Sequence, residues 1–293
     1  MNNAFKGIVV PIITPYQRDL SLDLHGFESV FSYFDQNPDV DGLFITGATG
    51  EYDVLSVAER KQIIDLAIDM NLQKDWIPNT STREKDSTLD LTEYALSRGV
   101  DTIGLIFPKE CATFLDVQAF LKQILSLGPR VFIYQTGNTP YPLSVQELRE
   151  LADMGPVIGI KDSCSPRDMY RHIQYISQLG DHLTVIQGVE MLYLPSLSMG
   201  VHGVIGGGCN VYPQLFQQIS QAYDAGENKK AALLQKKVNE YIELIYSEGT
   251  GIESMKYFLS LCDVKIQTLS RKTITPLSSY KKEMMRALYH QLH

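Results

Sequence analysis

Lys161 closes the apolar run Val157-Ile158-Gly159-Ile160, and Tyr134 closes a similar run, Val131-Phe132-Ile133, one strand-helix unit earlier. A primary amine withdrawn from water at a strand end can act as the neutral nucleophile that attacks a keto carbon, giving a Schiff base. A phenol beside that nitrogen can carry a proton between a substrate hydroxyl and solvent. Each residue has an ordinary alternative. Lys161 could be solvated or paired with Asp162, and Tyr134 could be a packing residue with its hydroxyl at the surface.

Two glycine-bearing segments accompany them. In Thr46-Gly47-Ala48-Thr49-Gly50-Glu51, Gly47 and Gly50 permit a tight turn that exposes backbone N–H groups, and Thr49 adds a hydroxyl. Such a loop can hold a carboxylate without an arginine, or it can be an ordinary turn. Gly206-Gly207-Gly208-Cys209-Asn210 either leaves room for the body of a ligand or forms a flexible turn.

These residues need elements that bring them together. Short β-branched runs at 7–14, 42–46, 76–80, 102–107, 130–134, 157–161, 183–187 and 203–205 alternate with amphipathic stretches near 23–36, 56–71, 86–98, 113–127, 144–154, 166–179, 189–199 and 211–224. This alternation predicts parallel strands with crossover helices. Ser56 with Glu59, and Ser144 with Glu147, have the spacing of capping boxes. Eight such units fit a (β/α)8 TIM barrel, an α/β fold in which all strand C-termini share one mouth. A doubly wound dinucleotide fold would carry a Gly-rich turn after the first strand, where this chain has Ile13-Thr14-Pro15-Tyr16. Further helices are predicted at about 227–248, 251–262 and 278–291. The expected organisation is a barrel over 1–226 with a C-terminal helical extension, 227–293, packed on it as one domain overall.

Composition excludes several function classes. The 293 residues carry 26 basic and 34 acidic side chains, a net charge of -8, and no basic cluster interleaved with aromatics, which argues against nucleic-acid binding. No run of about 18 apolar residues occurs, and the N-terminus lacks the apolar core of a signal peptide, so a soluble cytoplasmic protein is expected. Cys111, Cys164, Cys209 and Cys262 are too widely spaced for a Cys-x-x-Cys site and read as free thiols, with no metal site.

The whole set of motifs resembles the dihydrodipicolinate synthase and N-acetylneuraminate lyase family of class I aldolases. The resemblance runs through Gly7-Ile8-Val9-Val10-Pro11, Thr14-Pro15, Gly47-Ala48-Thr49-Gly50-Glu51, Ile133-Tyr134, Gly159-Ile160-Lys161-Asp162, Gly188 and Gly203-Val204-Ile205-Gly206 into the helical tail. It implies a (β/α)8 barrel with a helical extension, in a homotetramer. It further implies that Lys161 forms a Schiff base with pyruvate or a related 2-keto acid, that Tyr134 relays protons, and that no metal or organic cofactor takes part. Gly47, Ala48 and Thr49 would bind the keto-acid carboxylate, with Gly188, Glu190, Ile205, Gly206 and Gly207 lining the substrate pocket.

The chain departs from the family pattern in four places. Ala48 stands where Thr or Ser is usual. Tyr134-Gln135-Thr136-Gly137-Asn138-Thr139-Pro140 lacks the arginine with which the synthases hold a second carboxylate. Phe107-Pro108-Lys109-Glu110-Cys111 replaces their tyrosine pair after strand four, and with it the relay tyrosine lent across a subunit interface. Gln187-Gly188-Val189-Glu190 keeps only part of the lyases' acidic pair. Glu190 could accept bonds from sugar hydroxyls or serve as an acid at a helix N-terminus. The expected activity is therefore a Schiff-base lyase or aldolase that cleaves or forms a hydroxylated 2-keto acid, such as a 2-keto-3-deoxy sugar acid, with pyruvate and an aldehyde as the fragments. Dihydrodipicolinate synthesis is disfavoured. A dehydratase acting through the same iminium, and a non-catalytic keto-acid sensor, are the alternatives.

Overall fold

The computed structural model describes residues 5–292 apart from 138, 164–168, 181 and 274. Asn138, Cys164 and the start of the sixth expected helix, 166–168, lie outside the described residues. Eight parallel strands, β1 (Gly7–Pro11), β2 (Gly42–Ile45), β3 (Asp75–Pro78), β4 (Thr102–Leu105), β5 (Arg130–Gln135), β6 (Val157–Asp162), β7 (Thr184–Gln187) and β8 (Gly203–Ile205), form one sheet. The order β3-β2-β1-β8-β7-β6-β5-β4 leaves a seam between β3 and β4. A parallel bridge from Asn79 to Gly104 spans it. Thr80 N donates to Gly104 O at 3.0 Å, and Ile106 N donates to Ser81 Oγ at 2.5 Å. The sheet is thus nearly closed, a TIM barrel.

The helices α1 (Leu24–Asp35), α2 (Val57–Asp69), α3 (Lys85–Ser97), α4 (Phe114–Ser126), α5 (Val145–Asp153), α6 (Met169–Leu179), α7 (Tyr193–Leu197) and α8 (Pro213–Asp224) alternate with the strands. Both expected capping boxes form, Ser56 with Glu59 and Ser144 with Glu147, and Thr113 with Asp116 makes a third. The seventh helix differs from expectation. Instead of one helix over 189–199, a 3-10 turn (Glu190–Leu192) leads into the five-residue α7, and Gly200, three residues past its end, takes φ 94°. Gln235 reaches the carbonyl of Glu190 at 3.1 Å, so a residue of the tail takes a backbone acceptor of this turn. Beyond the barrel, α9 (Asn228–Tyr246), α10 (Ile252–Leu261) and α11 (Ser279–Leu292) follow. Among the described residues no helix is long and apolar enough to cross a membrane.

The period-two alternation of the strands decides which side chains enter the barrel. On β5, Val131 and Ile133 pack outward in the large core under the helices, while Phe132 and Tyr134 join Val9, Phe44, Ile77, Ile186 and Ile205 in the barrel interior. Register pairs Ile133 with Ile160 and Tyr134 with Lys161. The two chemically interesting residues therefore share the inward face. Gly104 is required below them, because a Cβ there would lie 2.7 Å from the Phe44 ring.

Candidate active site

Lys161 and Tyr134 are each 4% exposed. The Lys161 ammonium lies 4.0 Å from the centroid of the Tyr134 ring and 5.9 Å from that of Phe44, and Tyr134 meets Phe44 edge-on with centroids 5.9 Å apart. Aromatic faces attract a cation without neutralising it. Neither Lys161 Nζ nor the Tyr134 hydroxyl has a hydrogen-bond partner among the described residues, so both polar tips remain available to a ligand.

Asp162 does not pair with Lys161. It points the other way, fully buried, with His172 Nδ1 at 3.3 Å, Gln135 Nε2 at 3.4 Å and Arg171 at 3.9 Å. The network continues from His172 to Gln187 at 3.2 Å and from Gln187 to Ser196 at 2.6 Å, while Gln135 accepts from Leu143 N at 2.8 Å. Buried polar groups satisfied in this way hold a unique arrangement. Here they lock the ends of β5, β6 and β7 behind Lys161.

The loop after β2 turns sharply: Thr46 and Glu51 take φ 54° and 57°, Glu51 N donates to Ala48 O at 3.1 Å, and Tyr52 N donates to Gly47 O at 3.3 Å. Gly47 sits over Phe44, whose ring a Cβ would approach to 2.8 Å. Ala48 packs against the interior cluster that contains Tyr134, and Thr49 is half-buried beside it. The N–H groups of Ala48 and Thr49 have no partner among the described residues, which suits them to a carboxylate. Glu51 anchors the far end of the loop. Its carboxylate, 0% exposed, receives Lys256 Nζ at 2.9 Å, Ser270 Oγ at 2.8 Å and Arg271 N at 2.9 Å.

Across the mouth, Ile205 lies in the interior cluster. The triple glycine has a local cause: side chains of this chain fill the space. Glu190 lies against Gly206, the Tyr246 hydroxyl and Met255 against Gly207, and Ile242 and Tyr241 against Gly208. Glu190 is buried and accepts from Gly208 N at 2.7 Å. Burial pushes its carboxyl above the usual glutamate value, while the Gly208 bond and the charge of Lys161 pull the other way. Tyr246 is 44% exposed as a residue, yet its enclosed phenol is held well above its ordinary value by burial and by Glu190 and Tyr134. Gly188 is pressed against Ser163 and donates to Asp162 O at 2.9 Å. Thr139 Oγ1 accepts from Thr136 N at 2.8 Å, closing the turn after β5.

Sequence reasoning missed Phe44, Tyr246, Lys256 and the Asp162 network. β2, Gly42-Leu43-Phe44-Ile45, is apolar throughout, so its pattern does not mark Phe44 as the inward residue. Nothing local in the sequence marks the others.

The chain matches the model of the dihydrodipicolinate synthetase family over residues 4–292. It is 26% identical over 254 residues to an uncharacterised DapA-like lyase of Pyrococcus horikoshii, covering 85% of this chain and 87% of that one. It is 27% identical over 248 residues to the N-acetylneuraminate lyase of Histophilus somni, covering 83% and 84%. Among solved structures, YagE, a prophage protein of Escherichia coli K12 crystallised with pyruvate, superposes with a TM-score of 0.88 at 26% identity over 98% of each chain. A barrel whose mouth gathers an inward lysine, a tyrosine in register with it and a glycine loop with open N–H groups, matched from end to end by one family model, belongs to the dihydrodipicolinate synthetase family.

Proposed function

We propose that this protein is a pyruvate-dependent Schiff-base lyase or aldolase in which Lys161 is the nucleophile and Tyr134 the proton carrier. The observation that carries the reading is the register pair itself: Lys161 and Tyr134 lie side by side on the inner face of the barrel, 4.0 Å from ammonium to ring. The family match and the pyruvate-bound relative support the choice of keto acid.

The chemistry balances without a cofactor. Lys161 Nζ adds to the keto carbon of pyruvate, water leaves, and an iminium results. The methyl carbon gives a proton to solvent, which later restores the proton that Tyr134 donates, and the resulting enamine carbon attacks an aldehyde carbonyl. The alkoxide that forms takes a proton from Tyr134, and hydrolysis of the iminium releases a 4-hydroxy-2-keto acid and the free amine. Cleavage is the reverse sequence. The open N–H groups of Ala48 and Thr49 hold the pyruvate carboxylate throughout, and Glu190, Gly188, Ile205, Gly206 and Gly207 bound the space for the aldehyde fragment. The acceptor is a hydroxylated aldehyde, and the enzyme works as a cytoplasmic homotetramer, as its family resemblance implies.

Borohydride reduction in the presence of pyruvate tests the reading. The expected result is a covalent mass increase that peptide mapping places on Lys161 and that the Lys161→Ala variant abolishes. Trapping at another lysine, or undiminished trapping in that variant, would remove the central claim. An adduct without turnover of any aldehyde would favour a keto-acid sensor.

A further inference from the structure

Arg60, on α2, is a cation sealed inside the protein, 1% exposed. Its Nη1 donates to the carbonyl of Ser81 and its Nη2 to that of Asn79, while Nε has no partner. No carboxylate among the described residues pairs with it, and its sequence neighbour Glu59 is taken by Arg271. Burial pushes the guanidinium down to about 9, with Tyr52 opposing, so it keeps its charge at neutral pH. A buried charge without an opposite charge is costly, and carbonyl dipoles offset only part of that cost.

Clipping the seam between β3 and β4 accounts for the donors of Arg60 but not for its charge. Asn79 and Ser81 follow β3, and Ser81 Oγ accepts from Ile106 N across the seam. A neutral donor would serve there at less cost. The other neighbour of Arg60 is the glycine loop. The Asn79 carbonyl that Nη2 grips also accepts from Thr46 Oγ1 at 3.0 Å, and Asn79 Nδ2 donates to Thr46 O at 2.9 Å. The Tyr52 ring lies 5.9 Å from the guanidinium, and Tyr52 N donates to Gly47 O at 3.3 Å. Gly47 O and the Ala48 N–H belong to one trans peptide and point opposite ways. The supports that touch Arg60 therefore hold the carbonyl side of a peptide whose N–H is open to a carboxylate.

We infer that Arg60 supplies the counter-charge for the keto-acid carboxylate of the substrate, acting from behind the loop through Asn79 and Tyr52. It is a positioning residue, since its contacts are with the loop and its supports. The inference rests on the reading in which the N–H groups of Ala48 and Thr49 hold that carboxylate, and it adds a buried charge to the groups that select an anion there.

The test compares pyruvate with methyl pyruvate, which keeps the keto group and lacks the charge. Borohydride trapping on Lys161 at graded concentrations gives a half-saturating value for each, and their ratio measures the preference for the acid. The wild type should prefer the acid at least about tenfold. Arg60→Gln keeps a donor without the charge and should reduce the ratio about tenfold, by raising the value for pyruvate and leaving that for the ester. Arg60→Lys keeps the charge and should hold the ratio within about threefold of the wild type. Raised salt should leave the wild-type ratio in place, since a buried charge is little screened. If Arg60→Gln keeps the ratio or weakens both ligands alike, or if Arg60→Lys loses as much as Arg60→Gln, the inference is overturned. Should Arg60→Gln not fold, the other arms decide: loss of the preference in Arg60→Lys, or its loss in salt, overturns it. A wild type that takes acid and ester alike overturns the loop reading and the inference with it. If nothing is trapped on Lys161, the Schiff-base reading fails, and calorimetric titration of the same proteins with pyruvate decides: equal affinity in the wild type and Arg60→Gln overturns the counter-charge.

Discussion

Glu51 and Lys256, 205 positions apart in the chain, form an ion pair of 2.9 Å in which neither side chain is exposed. Glu51 ends the glycine loop over the barrel mouth, and Lys256 lies on α10 in the tail. The tail thus holds the far end of the loop that faces Lys161. The Tyr16 ring completes the enclosure, 4.6 Å from Lys256 and 4.7 Å from Arg271. Burial lowers the Lys256 ammonium from its ordinary value, and the charge of Glu51 opposes that effect.

Breaking such a pair on one side leaves a buried charge without compensation. Lys256→Met should cost on the order of 3–5 kcal/mol of stability. The Glu51→Gln/Lys256→Met double variant should lose less than the sum of the two single losses, because it buries no orphan charge. Urea unfolding of the four proteins measures this directly. If the pair also positions the loop, the double variant should raise the KM for pyruvate more than it lowers kcat. Additive stability losses, or an unchanged KM, would show that the pair neither couples nor positions.

Arg271 extends this anchor to the surface and makes it sensitive to acid. Its guanidinium grips both oxygens of Glu59 at 3.1 and 2.5 Å, with each side chain 21% exposed. The bond from Arg271 holds the Glu59 carboxyl below its ordinary value of 4.5, with bonds from Ser56 adding to the effect and partial burial opposing it. Because the folded value lies below the unfolded one, the pair stabilises the fold above pH 4.5, and that contribution is lost as pH falls through the lowered value. Glu59→Gln can keep the capping bonds to Ser56 through its one amide oxygen, while it removes the charge and one of the two oxygens that accept from Arg271. The wild type should therefore exceed this variant by about 1 kcal/mol or less at neutral pH. The gap should shrink steadily on acidification below 4.5. A gap that does not change with pH would assign the effect to shape instead of charge.

What was legible in the sequence is what local rules encode. The apolar run Val131-Phe132-Ile133-Tyr134 marks where a strand lies, and the Ser56–Glu59 and Ser144–Glu147 spacings mark where two helices begin. Lys161 was readable as a candidate only through the motifs that accompany it, since a lone lysine at a strand end can as well be solvated or paired with its neighbour, and the structure sets it buried in register with Tyr134. The Glu51–Lys256 pair was not readable, since no local pattern links residues brought together only by the closed barrel and its tail. The triple glycine left two readings open, room for a ligand or a flexible turn; it forms a 3-10 turn against which Glu190, Tyr246 and Met255 pack, two of them from the tail helices.

Tyr134 offers the sharpest separation of chemistry from structure. Its ring is fixed by Phe44 and forms one wall of the Lys161 environment, so removing the whole side chain would disturb packing and catalysis together. Its hydroxyl makes no hydrogen bond among the described residues, so Tyr134→Phe removes the proton carrier without leaving a buried partner unsatisfied. Stability should change little, and the phenyl ring should still attract the Lys161 ammonium. Turnover should fall by about 100-fold or more, with a smaller effect on the KM for pyruvate. Borohydride should still fix pyruvate on Lys161 in this variant, because imine formation precedes the step that needs the phenol. The decisive measurement pairs steady-state kinetics with peptide mapping on one preparation. Full turnover would mean that another group moves the proton, and loss of trapping would mean that Tyr134 positions Lys161 instead of serving the substrate.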